Sequence, residues 1–137
     1  MAAARTKLGT YTGRGLADFS TMQVHVAESG ALMDAAEAVM LKDCAEAMRF
    51  AEAGKVPPME DKVRWRRDGA HAARLCARAV DILFAAAGGG AIYESNPLQR
   101  AWRDVHAANG HYALNWDVNG IAYGRVALGL PPDTANL

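Results

Sequence analysis

Leu83–Asn115 reads LFAAAGGGAIYESNPLQRAWRDVHAANGHYALN, and its punctuation decides the fold. Gly88 to Gly90 close a helical run, because glycine accepts the backbone that ends a helix. Asn96-Pro97-Leu98-Gln99 has the form of a new start: an Asn to cap free N–H groups, Pro at the first position and Gln at the third. Asn109-Gly110 interrupts the helix that follows and predicts a kink or break there. These glycines do not form a phosphate loop. No strand precedes Gly88, no Gly-x-Gly-x-x-Gly spacing is present, and no Lys-Ser/Thr follows.

Outward from this stretch the same alternation recurs. Ser20-Thr-Met-Gln23 has the capping-box form, and a helical run extends from it to Ala53, stopped by Gly54 and Pro57-Pro58. A second run begins near Pro58, with Glu60 and Asp61 in the first turn, where the macrodipole favours acids. Its apolar set is Val63, Ala70, Ala73, Ala77, Val80, Phe84 and Ala87. Arg64, Arg67, His71, Arg74 and Arg78 fall on the other face, which is expected to be solvated or to contact another subunit. The third run extends from Asn96 to Leu128, where Gly129 and Pro131-Pro132 end it. No segment of five or more residues alternates as a strand would. The expected fold is all-α, an up-down bundle: an irregular lead-in over 1–19, the helical domain over 20–130 and a tail over 131–137.

A chain of 137 residues with 51% hydrophobic and 22% charged side chains has the composition of one globular domain. Fifteen basic residues balance fifteen acidic ones, which removes the electrostatic case for binding nucleic acid or an anionic membrane. The apolar run Ile82–Tyr93 is broken by three glycines and falls short of the roughly eighteen residues of a membrane span. The amino-terminal residues lack the apolar core of a signal peptide. Cys44 and Cys76 make no metal-ligand pair and are expected to be reduced thiols of a cytoplasmic protein. The three serines lie in no G-x-S-x-G turn, which argues against a serine hydrolase. His106 and His111 are five apart, on different faces of a continuous helix, so no metal site is expected. His25 and His71 read as ordinary helical histidines. His111 differs, because it follows the Asn109-Gly110 interruption, where side chains are turned toward cavities.

Three long helices pose a packing problem. Bundles of such helices usually contain four, so that every apolar stripe is covered. Here only Ala2 to Leu8 remains to supply the end of another. An uncovered groove of several hundred Å² is worth on the order of 10 kcal/mol. The chain is therefore expected to pair with copies of itself or to be one piece of a larger protein.

The Leu-Phe-x-x-x-Gly-Gly block at Leu83–Gly89, the Asn-Pro-Leu-Gln-Arg-x-x-Arg-Asp-x-His block at Asn96–His106 and the ending Tyr-Gly-Arg-Val-Ala-Leu-Gly at Tyr123–Gly129 resemble the carboxy-terminal domain of the acyl-CoA dehydrogenase fold. The resemblance is to its type 2 branch, the flavin-dependent monooxygenases that act as oxygenase components of two-component systems, the p-hydroxyphenylacetate hydroxylase oxygenases among them. The resemblance implies a four-helix bundle whose first helix is largely missing here, residues 1–19 being its remnant and a linker. It implies reduced flavin (FMN or FAD) from a separate reductase as cofactor, a small aromatic or heterocyclic substrate that is hydroxylated, and assembly into dimers or tetramers. It also implies roles by position. Arg5 would reach the flavin of a neighbouring subunit, Gly88 and Gly89 would form a turn against the flavin, and His111 would hydrogen-bond the substrate or the oxygenated flavin, an acid-base task suited to imidazole. His106 would be structural. An isolated domain of this kind is expected to be inactive. Two other readings stand beside it: a non-catalytic helical oligomerisation module, and an acyl-CoA dehydrogenase domain. The segment Ala108–Leu114 contains no acid to remove a proton beside a thioester, which favours oxygenation over dehydrogenation.

Overall fold

The structure is a computed structural model and describes residues 13–134. The expectations placed on Arg5 and on Ala2–Leu8 lie outside the described residues. Among the described residues there are four α-helices: α1 Ser20–Glu52, α2 Met59–Ala87, α3 Pro97–Asn109 and α4 Trp116–Ala127. Short 3-10 turns occupy Leu16–Asp18, Gly88–Ile92 and Tyr112–Leu114. The run expected from Asn96 to Leu128 is thus two helices, broken where Asn109-Gly110 predicted.

Local chemistry accounts for most helix ends. Gly54, at φ +62°, follows α1, and Lys55 N–H donates to Phe50 O (2.9 Å), the six-to-one bond of a glycine-terminated helix. Gly129, at φ +78°, ends α4 in the same way, with Leu130 N–H on Arg125 O (2.8 Å). The Asn96 side chain accepts from Leu98 N–H (3.0 Å) and caps α3. The capping box expected at Ser20 does not form. Phe19 occupies the cap position, and the Gln23 amide passes the cap to donate to Ala17 O (3.0 Å). The reason is the turn at Leu16–Asp18, which runs straight into α1 and places its own carbonyl in reach.

α2 is the hub, packed against α1 on one side and against α3 and α4 on the other. α1 and α2 are antiparallel, with Glu28 near Arg78 and Asp43 near Arg64. Their seam is built on seven-residue spacing: Ser29, Ala36 and Asp43 are buried on α1, and Val63, Ala70 and Ala77 on α2. Small side chains let the two backbones approach, and Ser29 Oγ donates across the seam to Ala79 O (3.1 Å). The wider buried set on α2 adds Asp68, Ala72 and Ala79, which the single-stripe reading omitted. A helix covered on two sides buries more than one stripe.

α3 and α4 follow one another down the far side of α2, antiparallel to it. Trp102 meets Asp81, Asn109 meets Ala73, Trp116 meets Arg74, and Tyr123 meets Arg67. By length and hydropathy alone, Met59–Ile92 includes a window apolar enough to cross a membrane (mean hydropathy 1.5), contrary to the sequence expectation. Its charged groups are nevertheless paired with both neighbours, Arg78 with Glu28 and Asp81 with His106 and Trp102. That is the pattern of a bundle's central helix.

Candidate functional site

The break between α3 and α4 brings His111 to the surface, halfway along α2. Gly110 N–H and His111 N–H donate to Ala107 O (3.2 Å) and Ala108 O (2.9 Å), closing α3. His111 then turns extended (φ −71°, ψ 136°) and caps the Tyr112–Leu114 turn with its own ring: Nδ1 accepts from Ala113 N–H (3.2 Å). An accepting nitrogen carries no proton, so the neutral ring holds its proton on Nε2. The imidazole is exposed, and its free edge is therefore a hydrogen-bond donor. Asn115 caps α4 through Val118 N–H (3.1 Å).

The loop is pinned from below by Asn119, a residue that sequence reasoning missed. It is 1% exposed. Its Nδ2 donates to Ala113 O (3.1 Å) and Asn115 O (2.7 Å), and its Oδ1 accepts from Arg66 Nε (3.0 Å). Nothing local marks an Asn in mid-helix as buried; only the arrival of α2 buries it.

The arginines of α2 meet the expectation only in part. Arg66, Arg67 and Arg74 lie over the rings of Tyr112 (6.0 Å), Tyr123 (4.1 Å) and Trp116 (4.8 Å). His71 approaches Trp116 as well (5.9 Å). Arg64 turns to α1 and bonds Asp43 (3.0 Å), Glu46 and, on its own helix, Asp61 (2.9 Å). Of the face expected to be solvated, Arg64 and Arg67 are half-buried in ion-pair and cation–ring contacts, while His71, Arg74 and Arg78 stay exposed as expected. The two that are half-buried are those met by α1, through Asp43, and by α4, through Tyr123.

His106 sits with Asp81, whose Oδ1 receives Trp102 Nε1–H (2.8 Å) and lies 2.9 Å from His106 Nε2. Burial raises the Asp81 pKa, but the hydrogen bonds from His106 and Trp102 prevail and leave the carboxyl below 3.8. With Phe84 stacked 5.2 Å from Trp102, the cluster locks α3 to α2. His106 therefore has a structural partner, and His111 does not share it.

Gly88 and Gly89 form the turn after α2. Gly88 has φ +66°, and a Cβ at either position would meet nothing within 4 Å of this chain. Beside the turn, Leu16, Phe19, Met22, His25 and Ala86 line a cleft of about 240 Å³. A larger cleft, about 400 Å³, is lined by Glu46, Arg49, Phe50 and Arg64. It faces α1, on the other side of α2 from His111, and Arg64 and Glu46 in it are already paired. His111 lies level with about residue 70 of α2, so at 1.5 Å per residue it is about 25 Å from Gly88 along the helix. The two expected site regions are not brought together within one chain. Among the described residues no group of His, Cys, Asp and Glu could hold a metal ion.

Residues 1–116 match the family described as acyl-CoA dehydrogenase, C-terminal domain. Among curated proteins, the chain is 38% identical to the FADH(2)-dependent resorcinol hydroxylase, oxygenase component, of Rhizobium sp. (strain MTP-10005), over 85% of this chain and 30% of the relative. It is 31% identical to the p-hydroxyphenylacetate 3-hydroxylase, oxygenase component, of Acinetobacter baumannii, over 94% of this chain and 31% of that protein. Among solved structures, XiaF from Streptomyces sp., in complex with FADH2 and glycerol, superposes with a TM-score of 0.92 at 30% identity, covering 99% of this chain and 35% of that one. The 3-HSA hydroxylase of Rhodococcus sp. RHA1 gives 0.82 at 31% identity, covering 92% and 32%. The chain spans about a third of the length of the relatives it matches.

Proposed function

Because the chain belongs to the acyl-CoA dehydrogenase C-terminal domain family, we propose that it is the flavin-contacting and self-associating domain of a cytoplasmic two-component monooxygenase that hydroxylates a small aromatic or heterocyclic compound. Its similarity to oxygenase components named for resorcinol and p-hydroxyphenylacetate supports this substrate class and a separate flavin reductase as electron source. The observation that carries the reading is His111: an exposed imidazole at a helix break, with Nδ1 committed to its own loop and Nε2–H turned outward.

Reduced flavin, FMN or FAD, supplies the activation of oxygen when bound. The donor set suits such a ring, which is rich in nitrogen and oxygen acceptors. At the α2 end, Gly88 and Gly89 present backbone bare of side chains with open space before it. Arg5 would add a cation to the flavin of a neighbouring subunit. At the helix break, His111 would donate from Nε2 to the substrate's phenol oxygen and would take up or release the proton there.

The separation of about 25 Å between Gly88 and His111 means that the two serve different parts of a flavin, or different flavins. Self-association, one copy's turn completing another's site, is consistent with that spacing. The absence of an acid in Ala108–Leu114 favours oxygenation over acyl-CoA dehydrogenation.

The test is a chimera in which this chain replaces the matching third of the p-hydroxyphenylacetate 3-hydroxylase oxygenase component. It is supplied with reduced flavin, oxygen and the phenol. His111→Ala is expected to lower product formation about 100-fold or more, and the 137-residue chain alone is expected to form none. Undiminished hydroxylation by the His111→Ala chimera would leave only a structural role for the loop.

A further inference from the structure

We infer that Asn119, backed by Arg66, is the positioning residue that fixes the tautomer and orientation of the His111 imidazole. The connection runs through Ala113. Its N–H donates to His111 Nδ1 (3.2 Å), and its carbonyl receives Asn119 Nδ2 (3.1 Å). The second Asn119 donation, to Asn115 O (2.7 Å), fixes the far end of the same loop. Arg66 Nε, on α2, donates to the amide oxygen (3.0 Å) and so sets which way the amide faces. With the oxygen held toward Arg66, the NH₂ group must face the two loop carbonyls.

The loop needs this support. Between α3 and α4 it contains a single 3-10 turn, Tyr112–Leu114, and both His111 and Ala113 are exposed. A three-residue turn at the surface has little packing of its own to hold its peptides. Asn119 is 1% exposed and rigidly seated on two helices, α4 by its backbone and α2 through Arg66. A buried amide with both donors and its acceptor engaged is expensive to rotate. Consequently Ala113 N–H keeps its direction, His111 Nδ1 remains an acceptor, and Nε2–H is the form the ring presents. If the Ala113 carbonyl were released and the Tyr112–Ala113 peptide turned with it, the proton could settle on either nitrogen and the outer edge would offer a lone pair for part of the time.

Asn119→Asp is the decisive substitution. The carboxylate retains an acceptor for Arg66 but sets an oxygen against two carbonyl oxygens, losing both donations. The readout is the long-range ¹H–¹⁵N correlation spectrum of histidine-labelled 137-residue chain at a pH where the ring is neutral. Wild type is expected to show His111 almost wholly as the Nε2–H tautomer. Asn119→Asp is expected to lose that single form and give a tautomer mixture, while His25 and His106, on α1 and α3, keep their wild-type patterns. If Asn119→Asp does not fold by circular dichroism, Arg66→Ala serves instead, with a smaller change in the same direction that Arg66→Lys reverses. A folded Asn119→Asp, or a folded Arg66→Ala in its stead, whose His111 spectrum matches wild type would overturn the inference.

The catalytic consequence rests on the reading of His111 proposed above, but the tautomer measurement does not. If His111→Ala leaves hydroxylation intact while Asn119→Asp disorders the tautomer, the proposed function fails and the positioning inference stands. The reverse pair of results has the opposite meaning.

Discussion

Gly88 and Gly89 are adjacent, yet they are glycine for different reasons. Gly88 has φ +66°, a conformation in which a side chain is strained whatever the space around it. Gly89 has no positive φ, and a Cβ there would touch nothing in this chain. Gly88→Ala should therefore destabilise the fold by about 1–3 kcal/mol, read as a lower urea midpoint. Gly89→Ala should stay within about 0.5 kcal/mol of wild type. If the backbone at this turn meets flavin in the assembled enzyme, Gly89→Ala should weaken flavin binding there, as measured by fluorescence titration. Unchanged flavin affinity would remove Gly89 from the site. The comparison separates a conformational requirement from a requirement for open space, which sequence alone merges into one glycine triplet.

At the scale of elements, α1 and α2 are joined by a charged cluster whose members respond oppositely to acid. The hydrogen bonds from Arg64 and then Trp65 hold Glu46 at about 2, well under its ordinary 4.5. Such a group adds stability above its unfolded pKa, and that contribution is lost as pH falls from about 4.5 toward 2. Asp81, held below 3.8 at the α2–α3 contact, has the same sign and loses its contribution as pH drops below that value. Asp43 has the other sign. Burial first, and the Asp68 carboxylate second, raise its pKa above 3.8, so acid relieves a penalty that is fully present once pH has risen through the raised value. Urea midpoints measured from pH 6 to pH 2.5 should fall in wild type. Glu46→Gln should flatten that fall, and Asp43→Asn should steepen it. Equal slopes in all three proteins would mean that the cluster contributes nothing to the linkage.

For the whole molecule the open question of the sequence was what covers the long helices. α1 packs chiefly on α2 and leaves Met33 (53% exposed), Leu41 (62%) and Met48 (57%) open, with Met40 beside them. Met33 and Met40, and Leu41 and Met48, are each seven apart, so they form a stripe along one side of the helix. An apolar stripe on a helix of 33 residues favours a second copy of the chain. Sedimentation velocity at micromolar concentration should show a dimer or tetramer, and Leu41→Glu with Met48→Glu should move it toward monomer without loss of helical signal. A well-folded wild-type monomer would refute self-association.

The amino-acid sequence by itself determined where helices stop and start: Gly54, Gly88, Asn96, the break at Asn109-Gly110, and Gly129. These signals act within a few residues, through backbone φ and the orphan N–H and C=O groups of a helix end, so they are readable one turn at a time. The sequence also singled out His111 from its place after a break. Tertiary structure alone decided that Arg64 and Arg67 are drawn to Asp43 and to the ring of Tyr123, and that Gly88 and His111 stand far apart. It alone buried Asn119 beneath the loop. Each of these depends on a partner brought from elsewhere in the fold, up to 53 residues away for Arg66 and Asn119, and no local pattern encodes which face of a helix that partner will meet.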